Sequence, residues 1–141
     1  MRLIAFLMIL WGVLPPVAKS TDLSCINVHE GVTEAQKKAW DTSINRQLNG
    51  RLVRINEAFS LADWVVVFVD AREADPPFLF FLGDPAKTHF VTMWSGAAMR
   101  SEQKAMKGWV LKNAPGIPND LAACFAWHVT LGQGIDADFG H

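Results

Sequence analysis

Trp64-Val65-Val66-Val67-Phe68-Val69 is an unbroken apolar run. Phe78-Leu79-Phe80-Phe81-Leu82 and Phe90-Val91-Thr92-Met93-Trp94 repeat the theme downstream. Turn-forming stretches separate them: Asp70 to Pro77, closed by two prolines, and Gly83-Asp84-Pro85-Ala86-Lys87. Short runs rich in β-branched and aromatic side chains, bounded by Gly and Pro, read as strands. Residues 63–94 therefore predict an antiparallel β-meander. Its first strand does not alternate polar with apolar residues, so both faces of the sheet must be covered there. The third strand, expected over His89–Ser95, puts Phe90, Thr92 and Trp94 on one face and Val91, Met93 and Ser95 on the other.

Working upstream, Arg51–Glu57 alternates, with Val53 and Ile55 on one side and Arg54 and Asn56 on the other. That pattern predicts a half-buried fourth strand near an edge, with Ala58–Ala62 as a connector. Before it, Thr33-Glu34-Ala35-Gln36 has the form of a capping box opening a helix. Trp40, Ile44 and Leu48 then recur every fourth residue as one apolar stripe, and Asn49-Gly50 supplies a left-handed stop. Downstream, Ser101 is placed to cap a second helix over Glu102–Asn113, with Ala105, Met106, Trp109, Val110 and Asn113 facing inward. Pro115-Gly116-Ile117-Pro118 ends it, and Asn119-Asp120 opens a third element. Ala126–Leu131 fits either a continuing helix or a final strand; helix is preferred, although a short apolar run is not decided by periodicity. The fold class expected is α+β: an N-terminal helix, a four-stranded antiparallel meander, then two C-terminal helices.

The two ends read differently. Met1-Arg2 is a charged start, Leu3–Leu14 an apolar core of secretory length, and Pro15-Pro16 a break. Ala18-Lys19-Ser20 places small residues for cleavage. Residues 1–20 are thus expected to be a cleaved signal peptide, residues 21–131 a single domain, and residues 132–141 a flexible tail. The expected location is the periplasm or the extracellular space. No later apolar run approaches the roughly 20 residues of a spanning helix, so no stable membrane insertion is expected after cleavage.

Removing the leader takes away Arg2 and Lys19 but no acid. Of the 13 basic and 14 acidic residues of the whole chain, 11 and 14 remain, a net of −3 with His neutral. Without a basic cluster, nucleic acid is a poor partner.

Two cysteines remain, Cys25 and Cys124. In an exported chain an even pair reads first as a disulfide, here closing a long loop. Each begins a Cys-x-x-x-His spacing, Cys25 to His29 and Cys124 to His128. Two thiols and two imidazoles are also the inventory of a tetrahedral zinc or soft copper site. The two readings exclude each other, because the metal needs thiolates; the disulfide is the reading adopted, and no cofactor is called for.

Other candidates are thinner. Ser95 lies at a strand end followed by Gly96, with His89 or His128 as a conceivable base, but Met93 stands where a nucleophile elbow wants Gly. Asp70, Glu73 and Asp75 form an acidic loop without the spacing of a calcium site. Glu57 and Asp63 are a conceivable carboxylate pair. Trp94 and Trp127 are the tryptophans most open to a role at a surface. No motif settles a chemistry. The reading favours a small non-catalytic binding module with a protein partner, as an inhibitor, an immunity-type protein or an accessory subunit. The alternatives are a metal-binding protein on Cys25, His29, Cys124 and His128, and a small hydrolase on Ser95.

Overall fold

Antiparallel pairing joins five strands in the order β1 (His29–Glu30), β2 (Leu52–Leu61), β3 (Trp64–Ala71), β4 (Phe78–Leu82) and β5 (Thr92–Trp94). Helix α1 (Glu34–Gln47) lies between β1 and β2, and helices α2 (Gln103–Asn113) and α3 (Asn119–Thr130) follow the sheet. The computed structural model describes residues 23–132. The leader expected over 1–20, and all of the tail except Gly132, lie outside the described residues.

The all-apolar centre explains the layering. Val67, Val69, Leu79 and Phe81 pack under Trp40, Ile44 and Leu48 of α1. Trp64, Val66, Phe78 and Phe80 pack under Val110 of α2 and Leu121, Phe125 and Val129 of α3. Successive strand residues point to opposite faces, so two runs with no polar member need helices on both sides. The second face is therefore closed by α2 and α3. Phe125 sits edge-on to Phe78, Phe80 and Trp94, with ring centroids 5.1, 5.0 and 5.6 Å away.

The capping box forms as read. The Gln36 amide donates to Thr33 Oγ1 at 3.1 Å, and the Thr33 amide donates to Gln36 Oε1 at 2.9 Å. Asn49 and Gly50 both take positive φ, ending the helix where a left-handed pair was expected. Ala126 to Thr130 continues α3, so that segment is helix and not strand.

Four expectations need correction. Among the described residues the sheet has five strands, not four, and the first of them precedes the N-terminal helix. Strand β1 is only two residues long, too short for any periodicity to show. It pairs His29 with Ser60 and Glu30 with Phe59. Those partners belong to the half of β2 that the sequence suggested was a connector.

Second, Val53 does not share a face with Ile55. Register shifts lie between Leu52 and Arg54 and between Ile55 and Glu57. Each bulge resets the alternation. Leu52, Ile55 and Ala58 all reach the α1 core, while Val53 is 54% exposed.

Third, the last strand shrinks from His89–Ser95 to Thr92–Trp94 because Gln47 captures the segment before it. Gln47 Nε2 donates to the Thr88 carbonyl and the Phe90 amide donates to Gln47 Oε1, both at 2.9 Å.

Fourth, a 3-10 turn at Arg100–Glu102 precedes α2, in place of a Ser101 cap. The Met99 amide donates to Glu102 Oε2 at 2.6 Å, and Ala105 faces solvent.

Candidate functional site

Cys25, in a 3-10 turn over Leu23–Cys25, is joined to Cys124 in the second turn of α3 by a disulfide. Their α-carbons are 4.6 Å apart, and the bond spans 99 residues of sequence. Both half-cystines are buried. The link holds the start of the domain against α3, and β1 begins four residues later.

What β1 presents to α3 follows from the two-residue period of a strand. Glu30 pairs with Phe59, whose ring packs in the core beneath α2 and α3, so Glu30 faces that side. His29 pairs with Ser60 and points the other way. On α3, His128 lies one turn beyond Cys124 on the same face. The result is a contact between Glu30 and His128, with Nε2 and Oε1 2.8 Å apart. The same carboxylate oxygen is 3.7 Å from Cys124 Sγ. Phe59 lies against the imidazole at a centroid distance of 4.3 Å, and Trp127 meets it edge-on at 5.0 Å.

Among the described residues, the side chains close enough to hold a metal together are Cys25, Glu30, Cys124 and His128, with ligand atoms all within 4.8 Å of one another. The expected set is altered at one position: Glu30 converges and His29 does not. The sulfurs are joined in a disulfide, so as they stand they are not thiolate donors.

Two hollows open beside His128. One, of about 290 Å³, is lined by Glu30, Gly31, Asn56, Glu57, Phe59 and His128. The other, of about 250 Å³, has Glu57, Phe59, Phe68, Phe78, His128 and Gly132 on its walls. Glu57, Phe59 and His128 are common to both. Glu57 reaches this place because of the second bulge in β2. Its strand partner is Phe68, on the α3 side of the sheet, and neighbouring Asn56 donates instead to Asp70 at 3.0 Å. Glu57 makes no ion pair or side-chain hydrogen bond among the described residues. Sequence reasoning named Glu57 only as part of a pair with Asp63 and missed Glu30. The signal for Glu30 was its place next to His29 in a two-residue strand, which nothing in the local pattern reveals.

Elsewhere the candidates disperse. Asp70 is held by Arg54 at 2.6 Å and by Asn56, which gives it a structural role at the β2–β3 ladder. Glu73 and Asp75 are exposed in the β3–β4 loop, Glu73 in a left-handed conformation. Trp94 is half-buried against Phe78 and Phe125, and Trp127 is half-buried beside His128. Ser95 is exposed just past β5 and hydrogen-bonds to neither candidate base. Nδ1 of His89 is engaged with the Phe90 carbonyl, and His128 with Glu30. Among the described residues, Ser95 forms no nucleophile–base pair with either histidine.

The site thus offers two carboxylates, one imidazole and an aromatic wall, with its sulfurs locked together. Such a lining suits a cationic group, which gains charge-assisted hydrogen bonds from carboxylates and contact with aromatic faces. Protein-family models, curated proteins and solved structures provide no match to the chain.

Proposed function

We propose that this chain is an exported, disulfide-clamped binding module that acts without catalysis, and that its partner is a protein presenting a cationic side chain to the cleft lined by Glu30 and Glu57. The observation that carries this reading is Glu57. It is a carboxylate turned by a bulge toward a hollow with an aromatic wall, and it has no counter-ion among the described residues. The net negative charge of the chain without its leader favours the same kind of partner through long-range attraction. Export rests on the leader pattern of residues 1–20, and the buried disulfide agrees with an oxidising compartment. Among the described residues Ser95 hydrogen-bonds to neither His89 nor His128, so the hydrolase alternative gains no support.

Affinity capture from the exported fraction of the source cells tests the proposal. The oxidised chain is expected to retain a stoichiometric partner that Glu57→Lys loses while keeping its circular dichroism. Equal capture by both forms, or no stoichiometric partner for either, contradicts it.

A further inference from the structure

The four side chains around the disulfide suggest a second state. We propose that reduction of Cys25–Cys124 converts this corner into a divalent-cation site of Cys25, Cys124, His128 and Glu30, selective for zinc-like ions that take tetrahedral sulfur and nitrogen ligands. This site shares Glu30 and His128 with the partner-binding cleft, but it concerns the reduced chain whereas that reading concerns the oxidised one, and it does not use Glu57.

The ligands come from three separate elements that the fold already brings together. Cys25 belongs to the N-terminal 3-10 turn, Glu30 to β1, and Cys124 and His128 to one face of α3. Their ligand atoms lie within 4.8 Å of one another. A tetrahedron with zinc–sulfur bonds of about 2.3 Å has sulfur–sulfur edges of about 3.8 Å, and mixed sulfur–oxygen edges of about 3.5 Å. The Cys124 Sγ to Glu30 Oε1 separation of 3.7 Å is already close to such an edge. The Glu30–His128 pair, at 2.8 Å, has to open by about half an ångström for zinc bonds of about 2.0 Å to nitrogen and oxygen. Once the bond between the sulfurs is cut, they have only to part to the tetrahedral edge. Both cysteines are buried, so the thiolates would be shielded from water, while Glu30 and His128 face the hollow through which an ion enters.

The conversion balances with a dithiol as reductant. One thiolate of the dithiol attacks a protein sulfur, forming a mixed disulfide and releasing the other cysteine as a thiolate. The second thiol of the reductant then closes its own disulfide and frees the remaining cysteine. Two electrons pass from the dithiol to the cystine. The cation then binds two thiolates, the thiol protons going to solvent, together with neutral imidazole and carboxylate.

The test uses the full exported chain, reduced with excess dithiol, freed of reductant without air and titrated with Co²⁺ as a spectroscopic stand-in for zinc. One equivalent is expected to give thiolate-to-cobalt charge transfer and intense tetrahedral bands, and zinc should displace it. Glu30→Gln and His128→Ala should each weaken binding at least about tenfold, the lower end of what even outer-sphere partners of a metal contribute. His29→Ala should leave it unchanged. If the reduced chain unfolds, zinc is expected to restore its circular dichroism. A reduced chain that takes up no stoichiometric cobalt, binds it without charge transfer, stays unfolded at saturating zinc, or depends on His29 in place of His128, overturns the proposal.

Discussion

His128 Nε2 lies 2.8 Å from the carboxylate of Glu30, 98 residues earlier in the chain, and the ring of Phe59 covers the imidazole 4.3 Å away. This contact fastens the edge strand β1 to the last helix. The two partners are partly exposed, with side-chain exposures of 20% for His128 and 42% for Glu30, so solvent weakens the bond. A double-mutant cycle of His128→Ala and Glu30→Ala in urea should give a coupling energy of about 0.5–1 kcal/mol. A coupling indistinguishable from zero would mean that the contact holds nothing together.

The disulfide should matter more. In the chain-entropy description, a loop of this length restricts the unfolded chain by roughly 4–5 kcal/mol. The paired replacement Cys25→Ser and Cys124→Ser is expected to cost about 2–5 kcal/mol in denaturant unfolding. Because Cys25 anchors the segment leading to β1, protection of the β1 amides against hydrogen exchange should fall before that of β3. Uniform loss across both strands would contradict that order.

The bulges in β2 make a sharper claim, since simple alternation treats Val53 and Ile55 alike. Ile55 is 5% exposed and packs in the α1 core, whereas Val53 is 54% exposed. Ile55→Ala should destabilise by about 2–5 kcal/mol, and Val53→Thr by no more than about 0.5 kcal/mol. Equal effects would argue for the unbulged register.

These contrasts show which parts of the structure the amino-acid order exposes. The α1 stripe of Trp40, Ile44 and Leu48, the Thr33–Gln36 box and the uninterrupted apolar run of β3 are local signals, and each appears where it was read. The pairing of Cys25 with Cys124 was legible because few arrangements of two cysteines exist. What stayed hidden depends on contacts distant in sequence. β1 is a strand only because the disulfide and the far half of β2 hold it beside the sheet. Residues 88–90 leave the strand because Gln47, on another element, takes their backbone groups. Glu30 displaces His29 from the site through the parity of a two-residue strand, and Glu57 arrives through a bulge. None of these leaves a periodic trace.

Phe125 is the hinge of the second core, edge-on to Phe78, Phe80 and Trp94 and 1% exposed. Phe125→Ala should cost about 3–5 kcal/mol and change the fluorescence of Trp94. Phe125→Leu should recover much of that loss, because it refills most of the volume. A small effect of the alanine variant would show that α3 does not close this face of the sheet.

The central claim, that the Glu57 cleft is where a partner is held, is tested most directly by crosslinking in place. A photoreactive residue is put at position 57 and, as a control, at position 73 in the acidic β3–β4 loop, and each full chain is irradiated in its source cells. A discrete adduct from position 57, lost when Glu30→Lys is added and absent from position 73, is the predicted result. An adduct from position 73 alone, or none from position 57 while the chain is folded, would contradict it.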